Sequence, residues 1–180
     1  VKDGVITGET NDTDKKVSPN TFLIWQGGEP GDFEIKLKAK ITGNNSGLQY
    51  RSKPVDGVEF GLAGYQMDMH PTQTYVGMLY EERGRGIMGE RGNKVERTAD
   101  GKSNVVEKLE LPAIKLDEWN DYRLVVKGNV LQHFINGQLA LEITDNEEAK
   151  RAMKGLVGLQ LHAGPSMKAE FKDVEIKELK

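Results

Sequence analysis

Cysteine is missing from all 180 residues, which removes disulfides, thiolate metal sites and thiol nucleophiles together. No apolar run approaches ~18 residues, so the chain offers no helical membrane span. An excess of either charge is also lacking: 25 Lys and Arg against 28 Asp and Glu leave a formal -3. No basic arm or basic helix accumulates, which argues against nucleic acid as a partner. Aromatic residues make up only 7% of the chain. Val1 to Thr7 already reads as a strand entry with a turn at Asp3-Gly4, so no secretory leader is expected within these residues.

What is present is glycine, 21 residues spread along the chain, and an apolar pattern that repeats every two residues. Together these predict an all-β protein of roughly a dozen strands, a single domain over residues 1–180. Asp32 to Thr42 is the clearest strand: Phe33, Ile35, Leu37, Ala39 and Ile41 fall on one side, with Glu34, Lys36, Lys38 and Lys40 on the other. A slip of one residue would bury four charges, so the register is firmly set. Thr21 to Trp25 reads as a buried strand. Gly128-Asn129 and Asn136-Gly137 turn the chain between alternating runs, predicting a three-strand meander from Lys115 to Ile143. In the last strand, Met167 to Leu179, the apolar parity changes between Phe171 and Val174. A bulge at Lys172-Asp173 would keep both residues inside.

One helix is predicted, Asp145 to Met153, with Asp145 as cap, Glu148 at capping-box spacing and Gly155 as stop. The Gly-rich run from Gly84 to Asn104 reads as a long loop. It carries Arg83, Arg85, Arg91, Lys94 and Arg97, and is expected either as a basic flap or as a solvated hairpin.

Three further stretches alternate in the manner of half-buried strands. Leu48 and Tyr50 are expected inward, with Asn45, Gln49 and Arg51 outward. Tyr65, Met67 and Met69 are expected inward, with Gln66, Asp68 and His70 outward. Val157, Leu159 and Leu161 leave Gln160 and His162 on the opposite face. A polar outward row is common on any wetted sheet. Solvent faces favour Lys, Glu and Thr, however, whereas amides, carboxylate, guanidinium and imidazole gathered on neighbouring strands suit a ligand covered in hydroxyls.

The order Asn45-Ser-Gly-Leu-Gln-Tyr-Arg51, Gly64-Tyr-Gln-Met-Asp68, Gly77-Met-Leu-Tyr80, Trp119-Asn120, Asn136-Gly137, Gly155-Leu-Val-Gly-Leu-Gln-Leu-His162 and Phe171-Lys-Asp-Val-Glu-Ile-Lys177 resembles the 3-keto-disaccharide hydrolase family nearly end to end. The resemblance implies a concanavalin A-like jelly-roll sandwich of two antiparallel sheets with one short helix, and a hollow sheet that holds sugar. It also implies action on glycosides already oxidised to a ketone at carbon 3. Family members usually begin with an earlier Trp-containing strand, so the resemblance implies either that the chain lacks its first strand or that it is a trimmed piece of an exported, periplasmic or secreted, protein. One departure stands out: a Glu often follows the Gly-Tyr pair in the family, and here Gln66 takes that place, with Asp68 two residues on.

A ketone at carbon 3 acidifies the hydrogen on carbon 2 and lets the glycosidic oxygen leave by elimination, after which water adds back. That route needs a base near carbon 2, a donor or cation at the ketone oxygen and an acid for the leaving oxygen. The candidate base is His162 or Asp68, with His133 in reserve, although His133 shares a face with Leu131 and Ile135 and suits packing better. Arg51 is expected to clamp the ketone or a hydroxyl. Glu81 is the candidate acid, or Tyr80 if that strand is turned the other way. Asn45, Gln49, Gln66, His70, Tyr80, Arg83, Arg85 and Gln160 complete the expected substrate-binding set. No cofactor is required by the sequence, although Asp68, Glu81 and His162 together could hold a divalent cation. The rival readings are a carbohydrate-binding module without catalysis on the same sandwich, and an interaction domain of a larger protein.

Overall fold

The computed structural model describes residues 1–11 and 19–179. In chain order the strands are β1 (Ile6–Thr10), β2 (Thr21–Ile24), β3 (Phe33–Thr42), β4 (Ser46–Pro54), β5 (Leu62–Met69), β6 (Leu79–Glu82) and β7 (Gly86–Gly89). There follow β8 (Asn93–Arg97), β9 (Ser103–Lys108), β10 (Asn120–Lys127), β11 (Val130–Ile135), β12 (Gln138–Asp145), β13 (Leu156–Leu161) and β14 (Met167–Glu178). They form an eight-stranded sheet in the order β1-β14-β3-β10-β11-β12-β8-β9, and a six-stranded sheet in the order β2-β13-β4-β5-β6-β7. The fold is an all-β sandwich, as the period-two pattern requires. Pairing is antiparallel except between β12 and β8, which run parallel.

Alternation along β3 buries Phe33, Ile35, Leu37, Ala39 and Ile41, as its sequence demands. Facing them from the smaller sheet are Leu48 and Tyr50 of β4 and Tyr65, Met67 and Met69 of β5. Each large apolar side chain so buried contributes about 1.5–3 kcal/mol. Two polar ties cross this core. Tyr50 Oη lies 3.0 Å from His133 Nε2, and His133 Nδ1 lies 3.1 Å from the Gly77 carbonyl. A carbonyl only accepts, so Nδ1 carries the proton and Nε2 accepts from the phenol. His133 is therefore a packing residue, and burial lowers its pKa to about 4. The second tie is Tyr65, whose hydroxyl donates to Asp145 Oδ2 at 2.7 Å.

The meander β10-β11-β12 forms as expected, and Asn136 and Gly137 both adopt positive φ, the geometry a two-residue turn between twisted strands requires. The β14 bulge falls between Lys172 and Glu175, with Asp173 at φ 53°. It keeps Phe171 in the core but leaves Val174 at the bulge itself, 45% exposed.

Two expectations are corrected. No helix forms between Asp145 and Met153: the Glu147 carbonyl accepts from Lys150 and Arg151 in a single turn, and Asp145 Oδ1 accepts from the Glu147 amide. The capping signals are satisfied by that turn, and a nine-residue span leaves little helix to propagate. Nor is residues 84–104 a long flap. It contains β7, β8 and the start of β9, which pass from the small sheet to the large one.

Candidate functional site

Because Leu48, Tyr65 and Met67 face the core, their neighbours Gln49 and Gln66 stand on the outer face of the small sheet, directly opposite one another across β4 and β5. Gln160 joins them from β13. All three amides are buried, and Gln49 Oε1, Gln66 Oε1 and both polar atoms of Gln160 have no hydrogen-bond partner among the described residues. An unpaired buried amide costs about 1–3 kcal/mol. Such a cluster marks a place where something polar belongs.

Above Gln66 and Gln160 lies a cleft of about 390 Å³. Asn45, Asp68, His70 and His162 line it, on the face to which alternation assigns them, together with Tyr80. Tyr80 rather than Glu81 faces the cleft, which settles the orientation of β6. The sequence reading missed Asn20, Tyr75, Met78, Glu82 and Ile87, which also line it. Glu82 could have been found, since it shares parity with Tyr80; Asn20 lies beyond the start of β2, where no periodicity reaches.

Asp68 is 2% exposed, and its Oδ1 accepts from Gln66 Nε2 at 2.6 Å. Burial raises its pKa to about 7, with the Gln66 hydrogen bond opposing and the charge of Glu82 adding to the rise. The Gln that departs from the family pattern thus serves as the donor that orients this carboxyl. Gly47 makes room for it, because a Cβ there would stand 2.6 Å from Gln66 Cδ.

The two imidazoles of the cleft are held differently. His162 Nδ1 is 2.6 Å from the Ala163 carbonyl, to which Asn44 Nδ2 also donates at 3.2 Å. Asn44 Nδ2 also stands 3.1 Å from Nδ1, but a lone pair on Nδ1 would face the carbonyl oxygen at 2.6 Å, so the closer contact decides: Nδ1 bears the proton, Asn44 gives its own to the carbonyl, and Nε2 carries a lone pair. His70 Nδ1 instead accepts from the Thr72 amide at 3.1 Å.

Five expected site residues lie elsewhere. Gln49 shares the outer face but is sealed beneath the cleft, donating to Ser52 Oγ at 2.9 Å. Arg51 sits in a bulge at φ 43°, which breaks the alternation and turns its side chain away. Its guanidinium donates to the carbonyls of Gly31, Gly128 and Ala152 and pairs with Asp32. Glu81, on the core side of β6 with Leu79, meets Arg85, which also binds Asp145 and Glu147. Arg83, Arg85, Arg51 and Glu81 border a second cleft of about 670 Å³ at the other end of the sheet. It is larger, yet no buried polar side chain on its lining lacks a partner among the described residues.

The expected cation ligands Asp68, Glu81 and His162 are accordingly not brought together. Among the described residues no group of three or more His, Asp or Glu is placed to hold a metal ion. Among the described residues no helix is long and apolar enough to cross a membrane.

The model of the 3-keto-alpha-glucoside-1,2-lyase-like domain matches residues 1–177. No curated protein matches the chain in sequence. Among solved structures, a candidate glycosyl hydrolase from Parabacteroides distasonis ATCC 8503 is 22% identical with a TM-score of 0.62, covering 100% of this chain and 83% of the other. A second candidate glycosyl hydrolase from the same organism is 19% identical with a TM-score of 0.61, covering 98% and 88%. The carbohydrate-binding module CBM66 of Bacillus subtilis is 14% identical with a TM-score of 0.60, covering 97% and 96%. At these identities the likeness is one of fold.

Proposed function

Because this chain belongs to the family of 3-keto-alpha-glucoside-1,2-lyase-like domains, we propose that its amide-floored cleft takes a glycoside oxidised at carbon 3 and cleaves it by elimination across carbons 1 and 2. The observation that carries this reading is the meeting, in one cleft, of a buried carboxyl, its pKa pushed up by burial to about 7, and an imidazole whose Nδ1 is turned to the Ala163 carbonyl. His162 Nε2 takes the proton from carbon 2. The electron pair left behind forms the C1=C2 double bond as the C1–O bond breaks, and Asp68, as carboxylic acid, protonates the departing oxygen. Hydration runs the roles backwards: the Asp68 carboxylate takes a proton from water as it adds at carbon 1, and the His162 imidazolium returns one to carbon 2. The amides of Gln66 and Gln160, with Asn45 and Tyr80, hold the sugar hydroxyls. Asp68 thus takes over the acid's part first expected of Glu81, whose carboxylate is engaged by Arg85.

The test is incubation with 3-keto-trehalose or 3-keto-lactose in deuterated water, with and without chelator. Release of the 3-keto sugar with deuterium at carbon 2 is expected, and His162→Gln and Asp68→Asn should each slow it about 10²–10⁴-fold. Measurable glycan binding without turnover would instead leave a carbohydrate-binding module.

A further inference from the structure

We propose that His70 is the hydrogen-bond donor to the ketone oxygen, acting as a neutral imidazole fixed in its Nε2–H tautomer. The proposal rests on the reading of the preceding subsection and assigns the one role that reading leaves unfilled.

His70 follows Met69 at the end of β5, and alternation places it on the same face as Gln66 and Asp68, where it lines the cleft. The Thr72 backbone N–H points at His70 Nδ1 from 3.1 Å, with Thr72 Oγ1 at 2.9 Å. A backbone amide has only a proton to offer, so Nδ1 presents its lone pair and the ring proton must reside on Nε2. The Tyr75 ring stands edge-on at 5.1 Å, fixing the plane of the imidazole. His162 is the complement, with its proton on Nδ1 and its lone pair on Nε2. The cleft therefore holds one imidazole shaped to accept and one shaped to donate.

Neutrality follows from the same contacts. A second proton on Nδ1 would set N–H against the Thr72 backbone N–H and leave only Thr72 Oγ1 to accept it. Burial and the nearby His162 lower the pKa of His70 further. A neutral imidazole can polarise a carbonyl without surrendering its proton. When His162 removes the carbon 2 proton, the pair delocalises onto the ketone oxygen, where His70 Nε2–H meets the growing charge. The pair then returns to expel the oxygen on carbon 1. His70 ends as it began, so no proton is unaccounted for.

The experiment uses 1,5-anhydro-3-ketoglucitol, which has the acidic carbon 2 hydrogen but no leaving group. Wild-type protein should exchange that hydrogen for deuterium. His70→Ala should exchange about 10²–10³-fold more slowly, the usual cost of one lost oxyanion donor, with sugar affinity changed less than about threefold. His70→Gln, whose amide still donates, should recover part of the rate. Independently, ¹⁵N spectra should place the His70 proton on Nε2 from pH 6 to pH 8. A proton on Nδ1, or a His70→Ala variant that exchanges as fast as wild type, overturns the proposal while leaving the elimination intact. A wild-type protein that neither exchanges nor cleaves overturns both.

Discussion

The side chain of Gln66 lies across Gly47, so close that a methyl group at residue 47 would stand 2.6 Å from its Cδ. The atoms in the way are the far end of a flexible side chain rather than backbone. Gly47→Ala should therefore cost little stability, about 1 kcal/mol or less, while pushing Gln66 off Asp68. We expect a loss of at least about tenfold in kcat/KM with an almost unchanged Tm. A variant that melts far below wild type would show that residue 47 supports the sheet rather than the site.

Two buried groups should shape the pH dependence of stability in opposite senses. Asp68 binds its proton more tightly folded than unfolded, so its contribution is fully present below pH 4 and is lost as pH rises to about 7. His133 is the reverse: its contribution is present above pH 6.5 and is lost as pH falls to about 4. Between pH 4.5 and 6.5 the two slopes offset. Asp68→Asn removes one of them, so stability measured by urea unfolding should then climb by up to about 1.4 kcal/mol per pH unit across that window. The variant should also be more stable than wild type at pH 8. A profile parallel to wild type would refute the assignment.

Arg51 fastens three loops through the carbonyls of Gly31, Gly128 and Ala152 and is almost wholly buried. Arg51→Ala should destabilise by about 2–4 kcal/mol, since it empties the space of a buried side chain and strips several half-buried carbonyls of their donor. Substrate KM of the folded fraction should stay near wild type. A raised KM with normal stability would restore Arg51 to the site.

The sheets and most of the polar face were legible because β3 and β5 alternate without ambiguity, as does β4 as far as Tyr50, and parity alone sends Gln66, Asp68 and His70 to one side. Parity fails where the backbone departs from it. Arg51 was misplaced because a positive φ at a bulge leaves no trace in a pattern of residue types. Glu81 was misplaced because its strand is only four residues long, too short to say which side faces in. The helix was misread because Asp145 and Glu148 mark a turn as readily as they mark a longer spiral. The Gly-rich run hid three short strands, since glycines that serve turns between strands look the same as glycines of a loop.

The unanswered amides beneath the cleft have a consequence for what can enter it. Water reaching them would satisfy them, and so would a molecule presenting hydroxyls at matching positions. An apolar visitor of the same size would drive out the solvent and offer nothing in exchange, stranding Gln66 Oε1 and both ends of Gln160 in a dry space. A deoxygenated analogue of a true ligand would suffer the same fault at a single position and be refused by more than the worth of the missing contact. Selectivity on this sheet accordingly arises from the guests it turns away.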